Sequence, residues 1–234
     1  MLATTLYRVL GRPLFRALSG DAVITKVLID LERTAGAYYS LNTPIVMTGD
    51  FEIEIDVLIN SNARFMVFSG GTSSGDFELF LDGEVDGALS YRVGGSNPSG
   101  TTSVQNYFTI NELRPVKVKR VGTTVTLSSP NRTDFVVTIS GSLSINNFAA
   151  RPSVSSLFLD GIESNLKVTD VSTPANNVEF GLDKLTGTTE VSNGFTLTYN
   201  NIATTDDVRN TYVLSNGGTQ WISDLRTINI AAQA

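Results

Sequence analysis

Alternation of apolar and polar residues with a period of two is the strongest signal along this chain. In DFEIEIDVLI (residues 50–59), Phe51, Ile53, Ile55 and Val57 fall on one side, and Asp50, Glu52, Glu54 and Asp56 on the other. That is the pattern of a strand with one buried and one solvated face. The runs RFMVFSG, DFELFLDG, ALSYRVG, PVKVKRVG, TTVTLSS, DFVVTISG, SLSINNF and SNLKVTDV read the same way, each bounded by Gly, Asn, Pro or Ser. Many short strands at close, even spacing, with no long helical pattern between them, predict an all-β fold: an antiparallel sandwich or barrel.

The pattern changes at both ends, which divides the chain into residues 1–22, 23–173 and 174–234. The first twenty residues, MLATTLYRVLGRPLFRALSG, contain no acid. Leu6, Leu10, Leu14 and Leu18 recur at four-residue spacing, as do Arg8, Arg12 and Arg16, and Phe15 adds to the apolar set. Pro13 interrupts the pattern, so two short turns are predicted instead of one helix. The apolar run is too short for a secretory signal or a membrane span. An organellar transit peptide and a membrane-surface helix are alternatives, but the leading expectation is an arm that docks on another subunit of an assembly. After Pro174 the chain is richer in Asn, Thr and Gly. It is expected to be an extension packing on the sandwich or a small β appendage, with Asn193-Gly194 a hairpin turn within VSNGFTLTYNNI. Trp221, the single tryptophan, reads as the anchor of this extension in preference to a sugar-stacking platform.

Composition removes much of the usual chemistry. The 234 residues include no cysteine and no histidine, which excludes disulfides, thiolate zinc sites and every His-dependent triad. A net charge of -6 and a pI near 4.7 argue against a phosphate-binding surface and hence against nucleic acid.

Three kinds of site can be weighed. Asp76, Asp82, Glu84 and Asp86 lie together around the first of two Leu-Phe-Leu-Asp-Gly pentapeptides, and Asp160 lies in the second. Calcium wants several oxygen ligands, and these are the candidates for it, although the run lacks an EF-hand loop and reads more simply as Asp-Gly turns. A metal is therefore not expected, and both pentapeptides read as a strand ending in an Asp-Gly turn. Glycan binding needs hydrogen-bonding groups beside an aromatic surface, and the polar loops offer Asn97, Gln105, Asn106 and Tyr107. The sequon at Asn131 carries no weight without a secretory signal.

The strand order resembles a laminin-G-like or concanavalin-A-like lectin domain. The likeness is carried by AYYSLNTPIVMTGDFEIEIDVLI, LRPVKVKRVGTTVTLSSPN and SLFLDGIESNLKVTD, and within them by a basic hairpin at 116–127 that bends at Gly122-Thr123. It implies a two-sheet jelly-roll sandwich over about residues 35–171. Some laminin-G domains hold calcium at a rim, but those ligands have no residue-by-residue match here. Glycoside hydrolases on the concanavalin-like fold use Glu-x-Asp-x-x-Glu on one strand. Here Glu54-Ile-Asp-Val-Leu-Ile59 puts isoleucine in place of the final acid, so no catalytic residues and no enzyme activity are expected. The layout of arm, sandwich and polar tail is similar to lectin-type proteins of tailed-bacteriophage particles. That second likeness implies a structural or adhesive virion component, a head or tail fibre, decoration or receptor-binding protein. Its partners would be other virion proteins, further copies of itself, trimers among them, and a cell-surface glycan. A free-standing lectin module is the first alternative, and a degenerate glycoside hydrolase with Glu52, Glu54 and Asp56 lining a cleft is the second.

Overall fold

The computed structural model describes residues 24–31, 35–61, 63, 65–70, 78–82, 88–92, 103–104, 107–152, 158–182, 189–202, 209–223 and 226–232, with the backbone alone at 78–82, 88–92, 103–104 and 209–210. It is an all-β sandwich of two sheets, antiparallel but for one strand pair, as the alternation predicts. The strands are β1 (Thr25–Ile29), β2 (Tyr38–Met47), β3 (Phe51–Ile59), β4 (Phe65–Ser69), β5 (Glu78–Asp82), β6 (Ala88–Arg92), β7 (Ser103–Val104), β8 (Glu112–Val121) and β9 (Thr124–Ser128). They continue with β10 (Phe135–Thr138), β11 (Leu143–Phe148), β12 (Gly161–Asp170), β13 (Val178–Phe180), β14 (Thr189–Ser192), β15 (Phe195–Asn200), β16 (Arg209–Ser215), β17 (Gln220–Ile222) and β18 (Thr227–Ile230).

One sheet runs β1-β16-β17-β18-β8-β3-β12-β13, with β9 pairing β8 and β10 pairing β9. The other runs β14-β15-β2-β11-β4-β5-β6-β7. Neighbours are antiparallel except β18 and β8, which pair in parallel through Asn229 to Glu112 and Ile230 to Leu113. The core lies between the sheets. Phe51, Ile53, Ile55, Val57 and Ile59 of β3 are all buried in it with Phe65, Phe68, Ile145 and Phe148 from the opposite sheet. At about 25 cal/mol per Å² of apolar surface, such aromatic and branched side chains supply the main favourable term of folding.

The basic hairpin forms as expected. β8 and β9 pair from Val121–Thr124 to Lys117–Ser128, and Gly122 at the bend has φ +61°, which glycine adopts without strain. Asn193-Gly194 likewise turns β14 into β15 with φ 47° and 82°. Beyond residue 174 the chain contributes strands to both sheets: β13 extends one from β12, while β14 and β15 extend the other from β2. The last three strands, β16–β18, join β1 on one side and β8 on the other.

That four-strand unit closes a second, smaller apolar cluster. Leu58, Leu113 and Ile162 point out of the sandwich on β3, β8 and β12, and are covered by Leu28, Tyr212, Trp221 and Ile228. Trp221 is 6% exposed, so the anchoring role read from the sequence is the one it has. The outward-facing apolar residues of three core strands are what the tail buries.

The two Leu-Phe-Leu-Asp-Gly copies differ in structure. The first ends β5 at Asp82, the expected strand end. In the second, Gly161 begins β12 instead, and a Cβ there would lie 2.0 Å from the Leu58 carbonyl oxygen. Glycine is required at 161 by close approach of two backbones and not by a turn. Asp160 belongs to a polar tie between strand ends. Asn60 donates to Asp30 (3.0 Å) and to Asp160 (3.3 Å), and accepts from Arg226 (2.6 Å).

Candidate functional site

The outer face of the first sheet carries the charged residues of the alternating strands. Cross-strand register sets Glu52 opposite Lys119, and Glu54 opposite Lys117 on one side and Lys167 on the other. Lys117 Nζ lies 2.7 Å from Glu54 and 3.0 Å from Glu52. These bonds, the Glu54 bond foremost, hold the Lys117 ammonium's pKa above its ordinary value. Such half-exposed pairs contribute about 0–1 kcal/mol each, so most of this face is the solvated strand surface that the sequence suggests.

Asp56 is the exception. It is half-buried, and burial pushes its carboxyl pKa upward against the opposing pull of an Asn165 hydrogen bond and the Lys26 charge. Asn165 reaches it because β12 is bulged: two residues, Asn165 and Leu166, span what Ile55 alone spans on β3. The bulge puts Asn165 in the left-handed region at φ 54°, with its N–H bonded to the Gly181 carbonyl at 2.9 Å. Leu166 turns into the core while the Asn165 amide turns outward and donates to Asp56 Oδ2. Ser164, the register partner of Asp56, is fully buried and its hydroxyl has no hydrogen-bond partner.

Beside this pair the sheet splits. β9 pairs with β8 over 117–121, and β18 pairs with it over 112–113, which leaves Pro115 between the two. A proline, with no N–H to give, is suited to a place where its strand lacks a neighbour. Arg114 fixes one bank of the split: its guanidinium donates to the Pro130 carbonyl (2.7 Å) and to Ser129 Oγ (3.3 Å), and pairs with Glu112 at 3.0 Å. The result is an open groove of about 420 Å³ between Ser128-Ser129-Pro130 and the Asp56–Asn165 pair, ended by Glu54 and Lys117. On the other side of Pro115 a second hollow of about 340 Å³ is bounded by Lys26, Leu113, Trp221 and Ile230. Asp56, Pro115 and Asn165 line both.

The residues expected from the sequence to bind ligands are placed otherwise. Tyr107 is no glycan platform: it is 0% exposed, its ring packs 5.5 Å from Phe108, and burial pushes its hydroxyl's pKa upward. An aromatic pair leading directly into a strand is a core signal, and the polar loop before it masked that. Asn97, Gln105 and Asn106 lie outside the described residues, as do Asp76, Glu84 and Asp86, and of Asp82 only the backbone is described. Among the described residues no three Asp, Glu, His or Cys side chains gather in a way that could hold a metal. The arm residues Leu6, Arg8, Leu10, Arg12, Leu14, Phe15, Arg16 and Leu18 also lie outside them. The sequence does contain the Asp56 site, in the alternation of β3, but its partner stands 109 residues away on a bulge that no local pattern announces. No described helix is long and apolar enough to cross a membrane.

No family model and no curated protein matches the chain. Among solved structures, it superposes on a candidate carbohydrate-binding protein from Bacteroides ovatus with a TM-score of 0.54 and 12% identity, over 75% of this chain and 58% of that one. That likeness shows the fold alone, an all-β sandwich. This chain thus matches little more than half of that protein's length. More distant likenesses are a pentraxin from Limulus polyphemus (TM-score 0.48, 11% identity, 62% and 76% of the two chains) and the mouse laminin alpha1 LG4-5 domains (TM-score 0.46, 14% identity, 71% and 47%).

Proposed function

We propose that the protein is a non-catalytic carbohydrate-binding module and that the split beside β8 is its binding groove. The observation that carries this reading is the Asp56–Asn165 pair. A left-handed, bulged asparagine holds a carboxylate at the centre of a groove that otherwise offers serine hydroxyls and the apolar faces of Pro115 and Pro130. Sugars present that same alternation of hydroxyls and C–H faces, and pockets of this size suit small ligands. Strain kept at one residue in a groove is a mark of a positioned group.

The same geometry speaks against hydrolysis. Cleavage of a glycosidic bond needs two carboxyl groups flanking it, but Glu54 is paired with Lys117, and Ile59 faces the core. Asp56 is left as a ligand-orienting acceptor. The test is a glycan array on the intact chain, followed by calorimetry with Asn165→Ala and Asp56→Asn. Each substitution is expected to weaken a hit at least tenfold, about 1.4 kcal/mol. Unchanged affinity in both variants would move the site elsewhere.

Display on a bacteriophage virion is the finer form of this proposal. It is supported by the sequence layout alone, a basic arm at residues 1–22, acid-free over its first twenty residues, ahead of the sandwich. Deleting residues 1–22 tests it: a truncated chain that still enters the assembly would remove the arm from the account.

A further inference from the structure

The charged groups around the groove differ in whether their charge is already answered. Lys117 has two carboxylates within 3.0 Å, and Lys119 has Glu52 at 3.9 Å. Lys26, on β1, has no carboxylate within 4.0 Å among the described residues. Its ammonium stands instead 5.7 Å from the centre of the Trp221 ring, facing the second hollow. A cation over an indole face is held in place by the ring quadrupole without being neutralised.

The surroundings strengthen that charge. Leu113, Trp221 and Ile230 make three apolar walls, and a charge beside low-dielectric walls acts over a longer range than one in open water. Asp56 is the one carboxylate among the described residues lining the hollow; the Lys26 charge acts on it without forming a salt bridge, and one of its oxygens takes the Asn165 amide. That amide keeps one N–H for an incoming oxygen. A neutral hydroxyl could use the amide alone, whereas an anionic group uses the amide and the ammonium together.

We propose that the Lys26–Trp221 hollow is the subsite for an anionic substituent, a carboxylate or a sulfate, on the sugar whose neutral part lies in the groove across Pro115. The inference rests on the carbohydrate-binding reading above and assigns it a ligand class: acidic oligosaccharides. Lys26 supplies the counter-charge, Asn165 a donor, and Trp221 the surface that fixes the lysine.

Trp221 is the single tryptophan of the chain, so its fluorescence reports on this hollow directly. The full chain is titrated with tetragalacturonate, with the neutral methyl ester of the same oligomer, and with a chondroitin sulfate tetrasaccharide. The expected result is at least tenfold tighter binding of one or both anionic probes than of the ester, with a change in Trp221 emission. Which of the two binds identifies the substituent. Lys26→Gln is expected to erase the preference while leaving the ester within about twofold, and Lys26→Arg to retain it. Equal binding of acid and ester by the native chain would overturn the anionic subsite and leave the groove standing. Equal weakening of acid and ester in Lys26→Gln, without recovery in Lys26→Arg, would reduce Lys26 to a packing role and overturn it too. No binding of any of the three probes, with a glycan array also blank, would overturn both the subsite and the groove.

Discussion

Glu163 gives the sharpest quantitative test of the structure. It lies on β12 opposite Val57, on the inward face, and is 0% exposed in the sandwich core. Neither carboxyl oxygen has a hydrogen-bond partner. The Ala149 N–H acts weakly in the other direction, but its hydrogen bond goes to the Val67 carbonyl at 2.8 Å. Burial without a partner disfavours the charged form, so the carboxyl's pKa is raised well above the ordinary glutamate value and the native chain keeps this proton. The unfolded chain releases it above about pH 4.5. Between those two values the native state binds one proton more than the unfolded state, so stability falls as pH rises, by about 1.4 kcal/mol per pH unit. The composition makes the slope readable: with no histidine and no cysteine, the described core has no other group that ordinarily titrates between pH 5.5 and 7. Urea denaturation of the native chain and of Glu163→Gln at half-unit steps from pH 5 to 9 gives the comparison. The native curve is expected to decline with the stated slope until the native pKa is reached and then to flatten. The Glu163→Gln curve lacks the decline and lies above the native one at pH 7. Parallel curves would show that Glu163 is ionised or solvated in the folded protein, and the burial argument would fall.

Three further outcomes can be measured. Glu190 is buried and accepts the Gly181 and Leu182 N–H groups at 2.9 and 3.0 Å and the Tyr199 hydroxyl, so it joins the turn after β13 to the opposite sheet. Glu190→Ala should cost about 3–5 kcal/mol and lower Tm by about 10 °C in a thermal scan, and a loss below about 1 kcal/mol would refute the clamp. Gly161→Ala drives a Cβ to 2.0 Å from the Leu58 oxygen and should destabilise by about 3 kcal/mol in chemical denaturation; a neutral result would mean that β3 and β12 part freely. Tyr107→Phe removes a buried hydroxyl that has Ser129 nearby but no well-formed hydrogen bond, and should leave both stability, within about 1 kcal/mol, and glycan affinity unchanged by calorimetry. Lost affinity would return Tyr107 to the binding site.

The parts of the fold legible in the sequence are those in which one face meets the core and the other meets water. β3 announces itself because Phe51 to Ile59 alternate with acids, and the β8–β9 hairpin does so through its lysines and Gly122. β4 is buried at all five positions, and its run gives a strand but no face. The unit of β1 and β16–β18 was hidden because its apolar residues cover the wrong side of the sheet by local logic. Leu58, Leu113 and Ile162 break the polar outer face, and only the folded chain shows that Trp221 and Tyr212 lie over them. The site divides in the same way. Asp56 reads from sequence as one more solvated acid beside Glu52 and Glu54. What distinguishes it is Asn165, and a bulge is a property of two paired strands, not of either alone.

The pairing of β1 with β16 sets the order in which the molecule can be completed. Thr25–Ile29 is hydrogen-bonded to strand residues 209–213, near the far end of the sequence. A chain emerging from the ribosome must therefore hold β1 unpaired until β16 has been made. Lys26 lies on that strand, so the Lys26–Trp221 hollow can form only after β16 and β17 dock, which makes it a late marker of the assembled sandwich. A nascent or C-terminally clipped chain would keep its main core while lacking this end of the groove. The emission of the lone tryptophan would distinguish the two.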